Sequence, residues 1–180
     1  MSRKVVCYIA MSADGFIARP DGEFDWLMRH AKSPDAYGYQ QFVANIDTVI
    51  WGRTTWNQMV STMDAAPDMG DMRSYVFTSH PETGPAKPRV EYTDEPVKSF
   101  MERLRAAPGK NIWMMGGGRV IASFLDAGEL DEFIISVIPV MIGEGIPLVA
   151  PRHREVPLEL LETKRHDDGV VMLHYAVGRA

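Results

Sequence analysis

The feature that most constrains the fold of this chain is an apolar run close to its N-terminus. Residues 5–11 carry hydrophobic side chains at both odd and even positions. In a strand, this pattern indicates that both faces are covered, as they are at the centre of an α/β sheet. A turn follows at residues 12–15, where serine, aspartate and glycine are concentrated.

The chain then repeats a unit of strand, turn and helix. Strands are predicted at residues 48–51, 74–77 and 111–115, and a helix follows the first and the last of them. Pro96 opens a further amphipathic helix, whose apolar residues recur at the i, i+3, i+4 and i+7 spacing. Before these units, the sequence predicts a helical stretch from Asp25 that Pro34 interrupts, a second helical piece over residues 37–45, and a short extended return at residues 16–18.

The C-terminal part has a different character. Strands are predicted at residues 132–138, 158–165 and 170–177, and a loop bearing glycine and proline spans residues 139–151. Asp167-Asp168-Gly169 separates the last two strands, and Asp-Gly between extended runs is a strong hairpin signal. The sequence therefore predicts an α/β fold with a mixed, largely parallel sheet that ends in an antiparallel hairpin.

Length and composition restrict the class of protein. The 180 residues fit one domain of roughly 100–200 residues, and neither a linker nor a repeat divides them, so residues 1–180 are expected to form a single domain. The net charge is −5 and no basic run occurs, which argues against nucleic acid as a partner. One cysteine cannot form an internal disulfide, and no signal peptide or membrane-spanning run is evident. We therefore expect a cytoplasmic protein without a membrane partner.

Two glycine-bearing turns are candidates for ligand binding. Gly116, Gly117 and Gly118 stand between a predicted strand and a helix, where the backbone can approach an anion at the helix N-terminus. Ile121 stands where the usual dinucleotide fingerprint has its third glycine, and no acidic residue ends a following strand. A tight turn without a ligand is the alternative.

The second turn begins at Gly52. Arg53 supplies a planar cation suited to a phosphate, and Thr54 and Thr55 supply hydroxyls, although a simple helix cap is the alternative. A third predicted strand end, at residues 78–80, adds two hydroxyls and an imidazole at the same level. Open sheets gather ligands at the carboxyl ends of their strands, so these features together favour a nucleotide site.

The segments at residues 9–18, 52–56, 75–79, 116–119 and 131–145 together resemble the dihydrofolate-reductase-like family. The similarity is greatest to the reductase domain of the bacterial riboflavin-biosynthesis deaminase/reductase and to its stand-alone relatives. These segments run in order over nearly the whole chain. The resemblance implies a three-layer dihydrofolate-reductase-like fold that binds NADPH. The zinc deaminase half of the riboflavin enzyme is not expected, because its chemistry needs a His/Cys/Cys cluster and this chain has one cysteine.

The resemblance also implies the residues that bind the cofactor. Those that lie against the nicotinamide would be Ala10, Ile17 and Ala18. Those that bracket the pyrophosphate would be Gly52, Arg53, Thr54, Thr55, Gly116, Gly117, Gly118, Arg119 and Val120. Those that surround the adenosine ribose and its 2′-phosphate would be Arg53, Thr78, Ser79 and His80. An arginine there favours NADP over NAD.

Two residues near the start of the first predicted helix are candidates for the substrate side of the site. Asp25 is the candidate for the acidic residue at the start of the first long helix, where it could orient a substrate or relay a proton. A helix-opening aspartate that complements the helix dipole is the alternative. Trp26 is the candidate aromatic residue beside the substrate, and a core tryptophan is the alternative. The five histidines show no metal-ligand spacing, so no metal site is expected.

Together these features predict an NADPH-dependent oxidoreductase that transfers a hydride to a small, polar, pterin- or pyrimidine-like acceptor. The alternatives are a dihydrofolate reductase proper and a non-catalytic nucleotide-binding module, since a fold does not fix a function. The C-terminal hairpin adds apolar sheet edge, and the resemblance implies a two-fold homodimer at this end. A monomer whose edge is blunted by Lys164, Arg165 and the turn at residues 167–168 is the alternative.

Overall fold

The computed structural model describes residues 3–30, 36–62 and 69–178. The strands are β1 (Val5–Ser12), β2 (Phe16–Ala18), β3 (Ile46–Gly52), β4 (Arg73–Phe77), β5 (Val90–Thr93), β6 (Asn111–Gly116), β7 (Glu132–Ile138), β8 (Ile146–Pro147), β9 (Leu158–Arg165) and β10 (Val171–Val177). The α-helices are α1 (Asp25–Met28), α2 (Tyr39–Val43), α3 (Arg53–Thr62), α4 (Val97–Arg105) and α5 (Gly118–Asp126), and short 3-10 helices occur at Ala36–Gly38 and Pro81–Thr83.

Eight of these strands form one sheet in the order β5-β4-β3-β6-β1-β7-β10-β9. The six strands from β5 to β7 are mutually parallel, whereas β10 pairs antiparallel with both β7 and β9. A separate antiparallel pair joins β2 to β8. This arrangement confirms the predicted mixed, largely parallel sheet with a C-terminal antiparallel hairpin.

Strand β1 lies inside the sheet and is covered on both faces, as its apolar pattern predicts. Val5 and Cys7 pack with residues of α4 and α5, including Phe100 and Phe124. Tyr8 instead faces the cluster that α2 and α3 cover on the opposite side of the sheet. Burial raises the pKa of the Cys7 thiol, which agrees with the role of a small core residue rather than a nucleophile.

The structure differs from the sequence expectations in several elements. Strands β5 and β8 were not predicted, because both are short and the first follows a loop rich in proline and glycine. The helical stretch from Asp25 is one turn long, ending at Met28. The predicted helical piece over residues 37–45 is divided between the 3-10 helix Ala36–Gly38 and α2. Residues 63–68, which follow α3, lie outside the described residues.

The hairpin at the C-terminal end leaves one edge of the sheet open. All eight residues of β9 are exposed, and about half of the surface of Leu158, Leu160 and Leu161 is accessible (45%, 53% and 49%). Large apolar side chains exposed on an edge strand are a feature of surfaces that associate with another chain.

Candidate functional site: a cleft at the carboxyl ends of the strands

A cleft with a volume of about 1720 Å³ lies across the carboxyl ends of the parallel strands. Residues from the ends of β1, β3, β4, β5 and β6 line it, together with parts of β2, α1, α3 and α5. Parallel strands end on one side of a sheet, so this is the edge where open α/β folds bind ligands. Fourteen of the fifteen cofactor-binding residues predicted from the sequence line this cleft. The exception is Gly116, whose neighbours Gly117 and Gly118 line it.

The turn between β6 and α5 borders the cleft through its glycines. Gly116 has a φ of +107°, a conformation that favours glycine. A Cβ atom added to Gly117 would lie 2.9 Å from Oγ1 of Thr55 and 3.8 Å from Cδ1 of Ile17. A Cβ atom at Gly118 would lie only 2.5 Å from the carbonyl oxygen of Pro147. Gly117 therefore keeps the cleft open, whereas Gly118 lets the loop after β8 approach the helix.

The turn between β3 and α3 lies directly beside the first, because β3 and β6 are neighbours in the sheet. A Cβ atom at Gly52 would be 3.4 Å from the backbone nitrogen of Gly117 and 3.5 Å from Cγ1 of Val120. The N-termini of α3 and α5 thus meet at one place in the cleft. Helix N-termini carry unpaired N–H groups and partial positive charge, so together they can hold a diphosphate.

Arg53 occupies the first position of α3 with its guanidinium group in the cleft. Its Nε donates to Oδ1 of Asn57 at 3.0 Å, and its Nη2 lies 3.5 Å from the carbonyl oxygen of Thr83. The guanidinium carbon lies 5.1 Å from the centre of the Tyr92 ring. In the described part of the chain, Nη1 is buried and has no hydrogen-bond partner. A buried donor left unpaired is costly, which suits a site that an anion completes.

The end of β4 lies on the same side of the cleft as Arg53. Thr78, Ser79 and His80 line the cleft there, and the Thr78 hydroxyl accepts a hydrogen bond from the His80 backbone N–H at 3.2 Å. Asp94 and Glu95 follow β5 and line the same end. Glu95 accepts two hydrogen bonds from Arg103, at 3.1 and 2.9 Å, so its charge is already paired.

The opposite end of the cleft is formed by aromatic side chains. The Tyr8 ring stacks on Phe42 with centroids 4.5 Å apart, and the edge of Trp113 meets the Tyr8 ring at 6.2 Å. Tyr8, Tyr39 and Trp113 all line the cleft. These residues were not predicted from the sequence, although the alternation of β1 places Tyr8 on the same face as Ala10 and could have indicated it.

Ser136 is a further cleft residue that was not predicted from the sequence. It lies on β7 opposite Ala10 of β1, so both side chains point to the same face of the sheet. It is 4% exposed and lines the cleft, and its hydroxyl forms no hydrogen bond with the residues that the structure describes. Nothing in the local sequence of β7 marks this serine, because only the pairing with β1 brings it to the site.

Asp25 lies at the start of α1, as predicted, but does not line the cleft. Its carboxylate accepts hydrogen bonds from Nε of Arg19 and Nη2 of Arg29, each at 2.7 Å. The bond from Arg19 is the main cause that lowers the pKa of Asp25. A carboxylate that is paired in this way remains ionised and fixes the turn to α1. Its proposed part in proton transfer stays a prediction.

The expectation that Trp26 lies beside the substrate needs correction. Trp26 is 1% exposed and packs against Ile138 and Val170 in the core. Its neighbours Phe24 and Leu27 line the cleft instead. Consecutive residues of a helical turn point in different directions, so only one side of this short helix can face the ligand.

The described residues meet neither the requirements of a metal site nor those of a membrane-spanning helix. Within residues 3–30, 36–62 and 69–178, the acidic, histidine and cysteine side chains form no group of three that could hold a metal ion. The helices in this part of the chain are too short or too polar to cross a membrane.

The fold and the position of the cleft define an α/β protein of the dihydrofolate-reductase-like class. The chain belongs to the RibD C-terminal domain family, whose model matches residues 3–172. This family is that of the reductase domain of riboflavin-biosynthesis enzymes. Among individual proteins, YwjB of Bacillus subtilis, which is uncharacterised, is 40% identical over 175 residues, covering 97% of this chain and 98% of YwjB.

Solved structures show the same fold. A protein of Shewanella sp. PV-4 assigned to riboflavin biosynthesis has a TM-score of 0.81 and 24% identity, with 99% of this chain and 100% of that chain covered. A diaminohydroxyphosphoribosylaminopyrimidine deaminase/5-amino-6-(5-phosphoribosylamino)uracil reductase of Thermotoga maritima has a TM-score of 0.72 and 17% identity, and the match covers 97% of this chain but 56% of that one. Dihydrofolate reductase of Enterococcus faecalis, solved with NADP(H), has a TM-score of 0.66 and 16% identity over 98% of this chain and 97% of that one.

Proposed function

We propose that this protein is an NADPH-dependent reductase that transfers a hydride to a small ring compound. The observation that carries this proposal is the meeting of two helix N-termini at adjacent glycine turns, where a Cβ atom on Gly117 would enter the cleft. Such a cradle fits the diphosphate of a dinucleotide. Membership of a reductase-domain family and the structural similarity to an NADP(H)-binding reductase support the same reading.

Arg53 supports a preference for NADPH over NADH. Its Nη1, which no described residue pairs, lies at the end of the cleft that also holds the hydroxyls of Thr78 and Ser79. Arginine and hydroxyl donors suit the 2′-phosphate that distinguishes the two cofactors. The nicotinamide would then lie at the other end, against Ala10, Ile17 and Ala18, where β1 and β2 meet.

When bound, NADPH supplies the hydride, and the protein supplies binding, orientation and the exclusion of water. The glycine turns fix the phosphates at the centre of the cleft. The aromatic side chains around Tyr8 give the acceptor a low-dielectric surface beside β1. Trp113 donates from Nε1 to the Tyr8 carbonyl at 3.0 Å, which holds this wall in place.

Calorimetric titration with NADPH and NADH tests the proposal. We expect NADPH to bind at least about tenfold more tightly, which corresponds to about 1.4 kcal/mol. Equal affinities would refute the assignment of Arg53, and no binding of either dinucleotide would refute the proposed function.

Turnover separates the remaining alternatives. Loss of NADPH absorbance with an added pterin or pyrimidine acceptor indicates an enzyme, whereas binding without consumption indicates a nucleotide-binding module. Dihydrofolate is the diagnostic acceptor for a dihydrofolate reductase proper. We expect dihydrofolate to be a poor acceptor, because Asp25 is paired with two arginines instead of lining the cleft.

A further inference from the structure

We infer that the acceptor is a flat, uncharged heterocycle that carries no phosphate group. This inference rests on the proposed function, because it takes the aromatic end of the cleft as the place where the acceptor binds. It separates this protein from the Thermotoga maritima reductase, whose substrate, as its name states, carries a phosphoribosyl group.

The acceptor pocket is defined as the part of the cleft on the β1 side of the glycine turns. Sheet order places β1 and β7 on one side of the β3–β6 pair and β4 and β5 on the other, so the two ends of the cleft are well separated. The residues that line the acceptor pocket are Tyr8, Ala10, Phe24, Leu27, Tyr37, Tyr39, Trp113, Met115 and Ser136.

The walls of the acceptor pocket favour a planar ring. Tyr8 is held between the face of Phe42 and the edge of Trp113, and Tyr39 meets Trp113 at 5.9 Å between centroids. Burial raises the pKa of the Tyr39 hydroxyl, so Tyr39 stays neutral. Fixed aromatic side chains provide apolar contact with a ring at little entropic cost.

The charges around the acceptor pocket argue against a phosphate. Among the described residues that line it, none has a charged side chain. The cationic and imidazole side chains that line the cleft elsewhere in the described chain are Arg53, His80 and Arg119, which follow β3, β4 and β6. A phosphate moved from water to an apolar wall without a cation loses hydration that nothing replaces.

Two arginines that flank the pocket segment at Phe24 and Leu27 are paired with an aspartate. Arg19 and Arg29 both donate to Asp25, as described above. The Tyr37 hydroxyl donates to Oδ2 of Asp168 at 2.7 Å, so this hydroxyl is directed to the hairpin turn. Ser136 is buried and lines the pocket, so its hydroxyl can exchange a hydrogen bond with a carbonyl or amino group of the ring.

The test compares one compound with and without its phosphate. The probes are 5-amino-6-(ribosylamino)uracil, its 5′-phosphate and an uncharged dihydropteridine. Each is titrated calorimetrically into the protein saturated with NADP⁺, and each is assayed as acceptor for NADPH oxidation. We expect the unphosphorylated uracil or the dihydropteridine to bind at least about tenfold more tightly than the phosphate, a difference of about 1.4 kcal/mol.

A gain-of-function variant adds a second measurement. Leu27→Lys places a cation in the acceptor pocket and should raise affinity for the 5′-phosphate without raising affinity for the unphosphorylated compound. Met28→Lys is the matched control, because Met28 is the next residue of the same helix and is 62% exposed outside the cleft. It should change neither affinity. If Leu27→Lys fails to fold, the comparison in the native protein still decides.

The outcomes separate this inference from the proposed function. Tighter binding or faster reduction of the 5′-phosphate by the native protein would overturn the inference while NADPH binding stood. Binding of none of the three probes would also overturn it. Failure of the protein to bind either dinucleotide would instead overturn the proposed function.

Discussion

Replacement of Arg53 by alanine tests the cofactor assignment directly. Arg53 is the cation whose Nη1 is buried and unpaired in the described structure, next to the strand end that carries Thr78 and Ser79. A hydrogen bond to a charged group contributes about 1.5–3 kcal/mol. The variant should therefore bind NADPH about 10- to 100-fold more weakly. NADH lacks the 2′-phosphate, so its affinity should change less than about twofold.

The native contacts of Arg53 make a small separate contribution. The variant loses the hydrogen bond to Asn57 and the contact with the Tyr92 ring, both of which are partly exposed. We expect the cost to stability to be about 1 kcal/mol or less, which lowers Tm by about 2–4 °C at most for a domain of this size. A cofactor effect much larger than this change in stability is therefore specific.

Isothermal calorimetry with both dinucleotides is the assay, and Arg73→Ala is the matched control. Arg73 is an exposed arginine at the opposite end of β4 and does not line the cleft. Its replacement should leave both affinities unchanged. If Arg53→Ala weakens NADPH and NADH equally, the guanidinium does not bind the 2′-phosphate, and the reasoning from its unpaired nitrogen is wrong.

Four further predictions concern the turn, the acidic residues and the open edge. Gly117→Val should abolish NADPH binding in calorimetry, because the branched side chain enters the cleft beside Thr55. Circular dichroism should show that the fold is retained. Normal NADPH binding by this variant would exclude the turn as the phosphate site. Asp25→Asn should retain most turnover with any accepted substrate, since its carboxylate is ion-paired and does not line the cleft. A loss beyond about 100-fold would support the catalytic role that the sequence predicts for Asp25. Burial alone would raise the pKa of Glu132, but hydrogen bonds from Lys4 and His174 lower it below 4.5. The ionised Glu132 carboxylate therefore stabilises the fold above the usual pKa of a glutamate, and this contribution is lost as the pH falls. Glu132→Gln should flatten the acid limb of a curve of Tm against pH. An unchanged acid limb would contradict the assigned role of Glu132. We propose that the exposed leucines of β9 are buried in a two-fold homodimer. Light scattering should give twice the 20.2 kDa chain mass for the native protein and a single chain mass for Leu160→Lys. A native monomer at all concentrations would exclude the dimer.

Local pattern was sufficient to predict most of the fold. The apolar run in β1 fixed its place inside the sheet, and the Asp-Gly turn predicted the C-terminal hairpin that β9 and β10 form. The short strands β5 and β8 have too few residues to show a period. They form because a neighbouring strand offers free hydrogen-bonding groups, which is a property of the assembled sheet.

The candidate site was predicted only in part, and the division has a physical cause. Residues at the cofactor end, such as Gly52 and Gly117, follow strands directly, so turn chemistry in the sequence marks them. Residues at the acceptor end are mid-strand or on short helices. The alternation of β1 could have indicated Tyr8, but no local pattern distinguishes Ser136 from a core position. The burial of Trp26 likewise followed from the packing of α1 against Ile138 rather than from its own neighbours.

The sequence by itself determined the order of elements, the central position of β1 and the glycine turns, because these depend on contacts between residues that are close along the chain. Only the tertiary structure decided which side chains meet in the cleft. Pairing of β7 with β1 brings Ser136 opposite Ala10, across 126 positions of the chain, and the packing of α2 on the sheet brings Tyr39 to Trp113. These contacts are long-range, and their register is set by the free energy of the whole sheet and core rather than by any segment alone.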